Sequence, residues 1–480
     1  MTPTLQHILH NTFGHDALYP VQARIIDRVI SGGDALVVMP TGGGKSLCYQ
    51  LPALTGDAPG ICLVFSPLIA LMEDQVAALK ARGVAAEYIN STLGRKERER
   101  RYAALARGEF RLIYATPERM HKPEFRAALE AIEGGVRLLA IDEAHCITQW
   151  GHDFRPAYQQ VGEFRHQLGD PVTIALTATA TPMVRQDIRR TLGLDEAAMP
   201  LFATPVDRPN LAYEVREVWD DADKVAQILE VHRACPGTAI VYFALIRDLE
   251  RIETQLRRRL ADSGEDNAIA VYHGKLDPRD KKRIYRRFIH ATPDENLLLL
   301  ATNAFGMGVD KPDIRAIIHA QIPGSVEAWT QEIGRAGRDG EPATCRLLFA
   351  QDDIAIQQQF IEWANPSADL LVQAGTAIER VAAHDFSIDD LRDVIIEKNR
   401  GDRRAEYCLI TLESLGVVEE TSIPGRYRFA RRIRDEEVDP QHIEAKKQRD
   451  LRRLLDMVQA ARAADLRAAI VDYFDLPADA

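Results

Sequence analysis

The stretch Ala35-Leu36-Val37-Val38-Met39-Pro40-Thr41-Gly42-Gly43-Gly44-Lys45-Ser46 decides the fold. Its first half is an apolar run without polar interruption, which reads as a strand buried on both faces in a parallel sheet. The glycines that follow let backbone N–H groups approach phosphate oxygens, and a helix beginning after Ser46 adds positive potential at its N-terminus. In such a loop Thr41, Gly42, Gly43 and Gly44 cradle the phosphates. Lys45 reaches the β- and γ-phosphates of a nucleotide and Ser46 holds Mg²⁺. The general pattern starts with glycine, whereas this chain has Met39 there. A plain glycine turn is the alternative, but Gly-Lys-Ser falls where a phosphate loop needs it.

Working outward, similar short apolar runs recur at 61–65, 112–115, 138–141 and 174–176. They resume at 239–243, 269–272, 297–301, 316–319 and 346–349, with helical stretches between them. Two such series predict two α/β domains, joined near 203–210 where Pro205 and Pro209 punctuate the chain. After about residue 350 helical periodicity takes over. Ser387-Ile388-Asp389-Asp390 fits a capping box, a second helix runs from about Arg403 to Leu415, and Gly416 stops it. Short strands at 417–419 and 426–429 flank Ile423-Pro424-Gly425, so helices plus hairpin read as a winged helix-turn-helix. A helical pair over roughly 439–474 closes the sequence.

The composition agrees with a globular chain. Its 480 residues suggest roughly three domains at about 150 each. Apolar residues make up 46% and charged residues 27%, which excludes a wholly disordered or collagen-like chain. No apolar run approaches the ~18 residues of a membrane span, and the first ten residues lack a secretory pattern. Six cysteines without a C-x-x-C pair form neither a disulfide framework nor an evident zinc site, so a cytoplasmic location is expected. With 60 Lys+Arg against 71 Asp+Glu, the net charge of −11 argues against a uniformly polyanion-binding surface, though not against a local basic track.

A second chemical signal ends the 138–141 run: Asp142-Glu143-Ala144-His145. At a strand end Asp142 can hold the metal through water, and Glu143 can orient or deprotonate the attacking water. An adjacent Asp-Glu alone is often a solvated loop; the upstream phosphate loop makes the catalytic reading the better one.

Further motifs occur in a fixed order. Phe13, Gly14, Pro20 and Gln22 come first, then Ser66-Pro67-Leu68-Ile69-Ala70-Leu71-Met72 with Asp74-Gln75, then Thr116-Pro117-Glu118-Arg119. Asp142-Glu143-Ala144-His145-Cys146-Ile147 runs into Gln149-Trp150-Gly151-His152-Asp153-Phe154-Arg155-Pro156, followed by Leu176-Thr177-Ala178-Thr179-Ala180. The second series adds Tyr272-His273-Gly274, Ala304-Phe305-Gly306-Met307-Gly308-Val309-Asp310-Lys311-Pro312 and Gln331-Glu332-Ile333-Gly334-Arg335-Ala336-Gly337-Arg338-Asp339-Gly340. This ordered set resembles the superfamily 2 helicases, and among them the RecQ-like DNA helicases with a DEAH box, over roughly residues 10–350.

The resemblance implies two tandem RecA-like P-loop domains, at 1–205 (ATP-binding) and 206–352 (helicase C-terminal). A helical linker and winged-helix domain would follow at 353–436, and a helical pair at 437–480. It implies ATP with Mg²⁺ held by Ser46 and Asp142. Gln22 would read adenine with Phe13 as support, and Arg335 and Arg338 would serve as arginine fingers from the second domain. Positive charge on the developing γ-phosphate charge is what phosphoryl transfer needs. His145, Thr177 and Thr179 look like couplers between the ATP site and the strand-binding face. The aromatic-rich loop supplies Trp150, Phe154 and Arg155, since aromatic faces stack on bases and arginine adds phosphate or cation–π contact. Thr116 and Thr302, at strand ends, are candidate phosphate donors. The arginines 426, 428, 431, 432 and 434 around the wing are a candidate DNA contact, whereas the runs at 95–101, 257–259 and 281–287 read as solvated helix faces.

The chain also departs from the family. Tyr19 precedes Pro20 where a basic residue is usual, and 242–246 lacks the usual polar character. RecQ-like proteins usually carry a four-cysteine zinc module after the second domain. Here only Cys408 follows Phe349, so no structural zinc is expected, and no HRDC-like domain is evident. The expected activity is ATP-dependent unwinding of duplex DNA from a single-stranded 3′ tail, with 3′ to 5′ movement, in repair or recombination. A DNA-stimulated translocase that does not unwind, an ATP-switched winged-helix binding protein, and an RNA helicase are the alternatives.

Overall fold

The structure is a computed structural model that describes residues 3–56, 58–148, 156–261, 268–306, 309–380, 384–392, 395, 402–421, 423 and 425–476. In the first lobe the strands are β1 (Ala35–Val38), β2 (Ile61–Phe65), β3 (Ala86–Ile89), β4 (Leu112–Ala115), β5 (Val136–Ile141), β6 (Val172–Thr177) and β7 (Leu201–Ala203). They lie in the order β3-β4-β2-β5-β6-β1-β7, and every pairing is parallel. Among the described residues, eight α-helices connect or flank them: α1 (Pro3–Phe13), α2 (Pro20–Ile30), α3 (Leu47–Ala53), α4 (Ile69–Ala81), α5 (Arg95–Ala106), α6 (Pro123–Glu130), α7 (Val161–Gln167) and α8 (Pro182–Leu192).

The uninterrupted apolar runs have a simple cause. Leu36 and Val38 of β1, with Leu63 and Phe65 of β2, enter one core. Ala35 and Val37, with Cys62 and Val64, enter a separate core on the other face. Alternate side chains of one strand are therefore both dry. Phe65 is fully buried, with its ring 5.8 Å from that of Phe164. Phe65→Ala is expected to cost about 3–5 kcal/mol, read as a lower urea midpoint for the unit that contains it.

The second lobe repeats the plan with β8 (Leu211–Glu217), β9 (Thr238–Phe243), β10 (Ile269–Tyr272), β11 (Leu298–Thr302), β12 (Ile314–His319) and β13 (Ala343–Phe349). Their order is β10-β11-β9-β12-β13-β8. Its helices are α9 (Asp221–Ala234), α10 (Ile246–Ala261), α11 (Pro278–His290) and α12 (Val326–Ile333). Beyond it come α13 (Ile354–Ala364), α14 (Ala368–Arg380), α15 (Ile388–Arg392), α16 (Arg404–Ser414), β14 (Val418–Glu420), β15 (Tyr427–Phe429), α17 (Pro440–Ala461) and α18 (Leu466–Phe474). Asp390 accepts from both the backbone N and the hydroxyl of Ser387 ahead of α15. The hairpin is antiparallel with Val418 opposite Phe429, and a core that includes Phe386, Leu412 and Val418 joins it to α14–α16.

Two compact units result. One comprises Met1–Gln321, Glu327–Leu348 and Ala460–Ala480; the other comprises Ile322–Val326 and Phe349–Gln459. Both sheets thus share a unit, and the helical pair expected at 437–480 is divided, with α17 mainly in the second unit and α18 in the first. A turn at 462–465 separates the two helices, and Asp465 caps α18 by accepting from Ala468 N at 3.0 Å. No helix among the described residues is long and apolar enough to cross a membrane.

Candidate functional site

Parallel strands aim their carboxyl ends at one rim of a sheet, where ligands bind in open α/β folds. In the first lobe β5, β6 and β1 are neighbours. The phosphate loop leaves β1, Asp142-Glu143 leaves β5, and Thr177 is the last residue of β6. The two chemical signals, distant in sequence, are therefore brought to one rim.

The loop itself is tightly wound. Gly42 and Gly44 have φ of 82° and 75°, in the left-handed region that side chains avoid. Lys45 Nζ donates to Met39 O at 3.0 Å and Pro40 O at 3.3 Å, so the ammonium folds back along its own loop. Gln22 is buried and docks from α2: its Nε2 donates to Gly43 O and Gly44 O, each at 3.3 Å, while Oε1 accepts from Tyr19 N at 3.0 Å. Phe13 is a core residue with the Arg82 guanidinium over its ring at 5.6 Å.

Electrostatics tie the acidic pair to the loop. Burial pushes the Asp142 carboxyl up to about 7, with the Glu143 charge adding to the effect and Lys45 opposing it. Burial pulls the Lys45 ammonium down, against the pull of Glu143 and Asp142. Tyr49 is raised by burial first; among smaller effects, the Asp142 charge raises it further and a hydrogen bond with the Ser46 side chain lowers it. Serine hydroxyl and carboxylate oxygens are the hard donors Mg²⁺ prefers, and this pair fits the ion. Glu143 sits at φ 49°, ψ 47°. Its Oε2 is buried without a hydrogen-bond partner among the described residues, 3.3 Å from His145 Nδ1. His145 Nδ1 is also 3.0 Å from Thr177 Oγ1, which donates to Thr179 O at 3.0 Å, so the three expected couplers form one chain of contacts.

The second lobe contributes from the segment after α12. The stem of Arg338 lies over Gly42, since a Cβ placed on that glycine would meet Arg338 Cγ at 3.3 Å. Arg338 Nη1 donates to Val309 O at 2.9 Å and to Asp310 Oδ1 at 2.8 Å, and its Nε is buried with no partner among the described residues. A Cβ on Gly334 would run into the Thr41 hydroxyl, so the two lobes touch at a second place. Arg335 is turned onto carbonyls of its own lobe, with Nε to Gly306 O at 2.9 Å and Nη1 to Gln331 O at 2.6 Å.

On the nucleic-acid side, Thr116 and Thr302 are buried at the ends of β4 and β11, and the Thr116 side chain makes no capping bond. Trp150, Phe154 and Arg155 lie outside the described residues. Tyr158 follows in a short helix, and its hydroxyl donates to Asp142 O at 3.0 Å. Around the hairpin, Arg431 and Arg432 are paired with Glu437 and Glu379, each at 2.5 Å, while Arg426 is exposed. Sequence reading missed Arg208 and Asn210, which bond the segment carrying Arg335 and Arg338. Their signal was the same Pro-punctuated stretch that reads as a plain linker. Glu332 of the 331–340 motif lies 2.7 Å from His319 at the end of β12, a contact that sequence reading did not foresee.

Residues 19–188 match the DEAD/DEAH box helicase family and residues 221–340 match the helicase conserved C-terminal domain. The chain is 39% identical over 406 residues to the probable ATP-dependent DNA helicase RecS of Bacillus subtilis, covering 84% of this chain and 78% of that protein. It is 42% identical over 359 residues to the ATP-dependent DNA helicase RecQ of the same organism, covering 74% of this chain but 58% of RecQ. Its fold is that of the DUF1998 helicase MrfA in a DNA-bound crystal structure, with a TM-score of 0.60 at 20% identity over 90% of this chain and 60% of that one. Two tandem RecA-like domains with the phosphate loop and acidic pair at one rim thus meet relatives named for the same chemistry, and the chain belongs to the RecQ-like family of ATP-dependent DNA helicases.

Proposed function

We propose that this chain hydrolyses ATP between its two RecA-like lobes and uses the cycle to move 3′ to 5′ on single-stranded DNA, displacing the complementary strand of a 3′-tailed duplex in DNA repair or recombination in the cytoplasm. The observation that carries this reading is Arg338 of the second lobe lying across Gly42 of the first lobe's phosphate loop. A nucleotide gripped by residues of both lobes makes their separation depend on its state, which is how hydrolysis becomes stepping.

In this reading Gln22 reads the adenine edge, Thr41 to Lys45 receive the phosphates, and Ser46 with Asp142 hold Mg²⁺. The metal neutralises charge on the β- and γ-phosphates when bound. Glu143, with a buried Oε2 that makes no hydrogen bond among the described residues and lies 3.3 Å from His145 Nδ1, orients the attacking water and takes its proton. Arg335 and Arg338 stabilise charge that builds on the γ-phosphate. Trp150, Phe154, Arg155, Thr116 and Thr302 contact the strand.

The test is the steady-state ATPase rate of the full chain alone, with single-stranded DNA and with single-stranded RNA, using Glu143→Gln as the blank. Strong stimulation by DNA alone is expected, followed by unwinding of 3′-tailed but not 5′-tailed duplexes. Trp150→Ala is expected to retain ATP binding and lose most of the DNA stimulation, because base stacking is worth about 1–3 kcal/mol per base. Hydrolysis indifferent to DNA would instead favour the winged-helix switch, and equal stimulation by RNA would overturn the choice of substrate.

A further inference from the structure

The stretch between β7 and β8 grips the segment that carries Arg335 and Arg338. Arg208 Nη1 donates to Gly334 O at 3.2 Å and its Nη2 donates to Gly337 O. Asn210 Nδ2 donates to Gly337 O and Glu341 O, each at 2.9 Å. Gly337 has φ 51°, and a Cβ there would come within 2.6 Å of Asn210 Nδ2, so this close grip needs glycine.

That stretch is itself held from the far end of the chain. Arg467 of α18 donates from Nη1 to the Asp207 carboxylate and to Arg208 O, and from Nη2 to Leu211 O. Its guanidinium carbon lies 4.4 Å from the centroid of the Tyr213 ring. Tyr213 meets the fully buried Trp329 edge-on at 5.3 Å, and Trp329 sits on α12, the helix that leads into Gly334. The Tyr473 hydroxyl donates to Glu327 Oε1 on the same helix at 2.9 Å. The end of α18 meets the first lobe as well: Arg185 of α8 donates to Asp475 O at 3.0 Å, and Leu476 packs on that lobe's core.

We propose that α18 is a strap that sets the position of the arginine-finger segment, with Arg467 as its positioning residue acting through Arg208 and Asn210. This rests on the reading of Arg335 and Arg338 given above. A planar guanidinium supplies several donors in a fixed fork and stacks on an aromatic face, whereas lysine offers one mobile charge. Arg467 uses the fork and the face together, so it fixes the backbone from Asp207 to Leu211. Donors aimed at a transition state lose their effect when they shift by about 1 Å, at a cost of up to about 100-fold in rate.

The experiment compares the full-length wild type with Arg467→Ala and Arg467→Lys, measuring DNA-stimulated kcat, KM for ATP, and affinities for ADP and for ADP–aluminium fluoride. Arg467→Ala is expected to lower kcat and ADP–aluminium fluoride affinity together, by about 10- to 100-fold, with KM and ADP affinity nearly unchanged. Arg467→Lys should recover part of the loss. In an Arg338→Ala background, Arg467→Ala should add little further loss. Unchanged kcat, or a parallel fall in ADP affinity, overturns the proposal. Should Arg467→Ala fail to fold, Tyr473→Phe removes one oxygen of the strap and is expected to lower kcat by about 2- to 10-fold; no effect there overturns it equally. A wild type that hydrolyses ATP without DNA stimulation sinks the helicase reading, while the variants still read out the strap on basal hydrolysis.

Discussion

Glu143→Gln is expected to lower DNA-stimulated kcat for ATP hydrolysis by about 10²- to 10⁴-fold, the range of a lost general base, while ATP still binds. The substitution keeps the side chain's volume and exchanges one carboxylate oxygen for an amide nitrogen, so packing survives and basicity does not. The position is built for this carboxylate. A non-glycine residue at φ 49° is uncommon, and such backbone persists only where its surroundings hold it. Here the strand end of β5 and the short helix through His145 hold it on either side. The Glu143 charge helps push the Asp142 carboxyl up, second to burial. Removing that charge moves Asp142 back toward its ionised form, which favours metal holding rather than weakening it. Nucleotide affinity, followed with a fluorescent ATP analogue, should therefore stay within a few-fold of wild type while single-turnover hydrolysis collapses. Hydrolysis at the wild-type rate would remove Glu143 from the reaction.

What the sequence made legible follows from burial. β1, β2, β4 and β9 are dry on both faces, so each appears as an apolar run that ends where its loop begins. β3 lies at the sheet's edge and was missed because Glu87 interrupts it. That glutamate is buried only because Lys80 Nζ at 2.7 Å and Arg101 Nη1 at 2.8 Å neutralise it. The same pair corrects the reading of 95–101 as a solvated face: Arg95 and Arg100 are exposed, but Arg101 is buried on Glu87 and Glu97. β7 has three residues and β8 mixes polar with apolar, as an edge strand does.

The site was legible where chemistry is local and opaque where it depends on long-range placement. Gly-Lys-Ser and Asp-Glu-Ala-His declare themselves within a few residues. That Arg338 would lie over Gly42, or that Arg467 would grip Asp207, depends on how the two lobes and the end of the chain come together, and no periodicity encodes that.

Arg338→Ala is expected to lower kcat further than Glu143→Gln, by about 10³- to 10⁵-fold, the range for arginine fingers. The guanidinium is held by Val309 O and Asp310 on its own lobe while its stem crosses the phosphate loop of the other. Its Nε is buried without a partner among the described residues, so a ligand oxygen can take that donor. Burial lowers its pKa and Asp310 opposes this, so the charge is kept in a partly dry cleft where it acts more strongly than in water. A donor used mainly on the developing γ-phosphate charge changes kcat more than KM. Arg338→Lys should restore little, since the ammonium cannot supply Nε and Nη donors in one plane. Binding of single-stranded DNA without nucleotide, followed by anisotropy, should be unchanged. Wild-type hydrolysis by Arg338→Ala would mean that the second lobe does not take part in chemistry. A normal DNA-stimulated rate would then have to arise within the first lobe, and nucleotide state would have no direct grip on the distance between lobes. Loss of hydrolysis with DNA binding intact would place in the chemistry a side chain that belongs to one lobe and touches the phosphate loop of the other, so the nucleotide would be gripped from both.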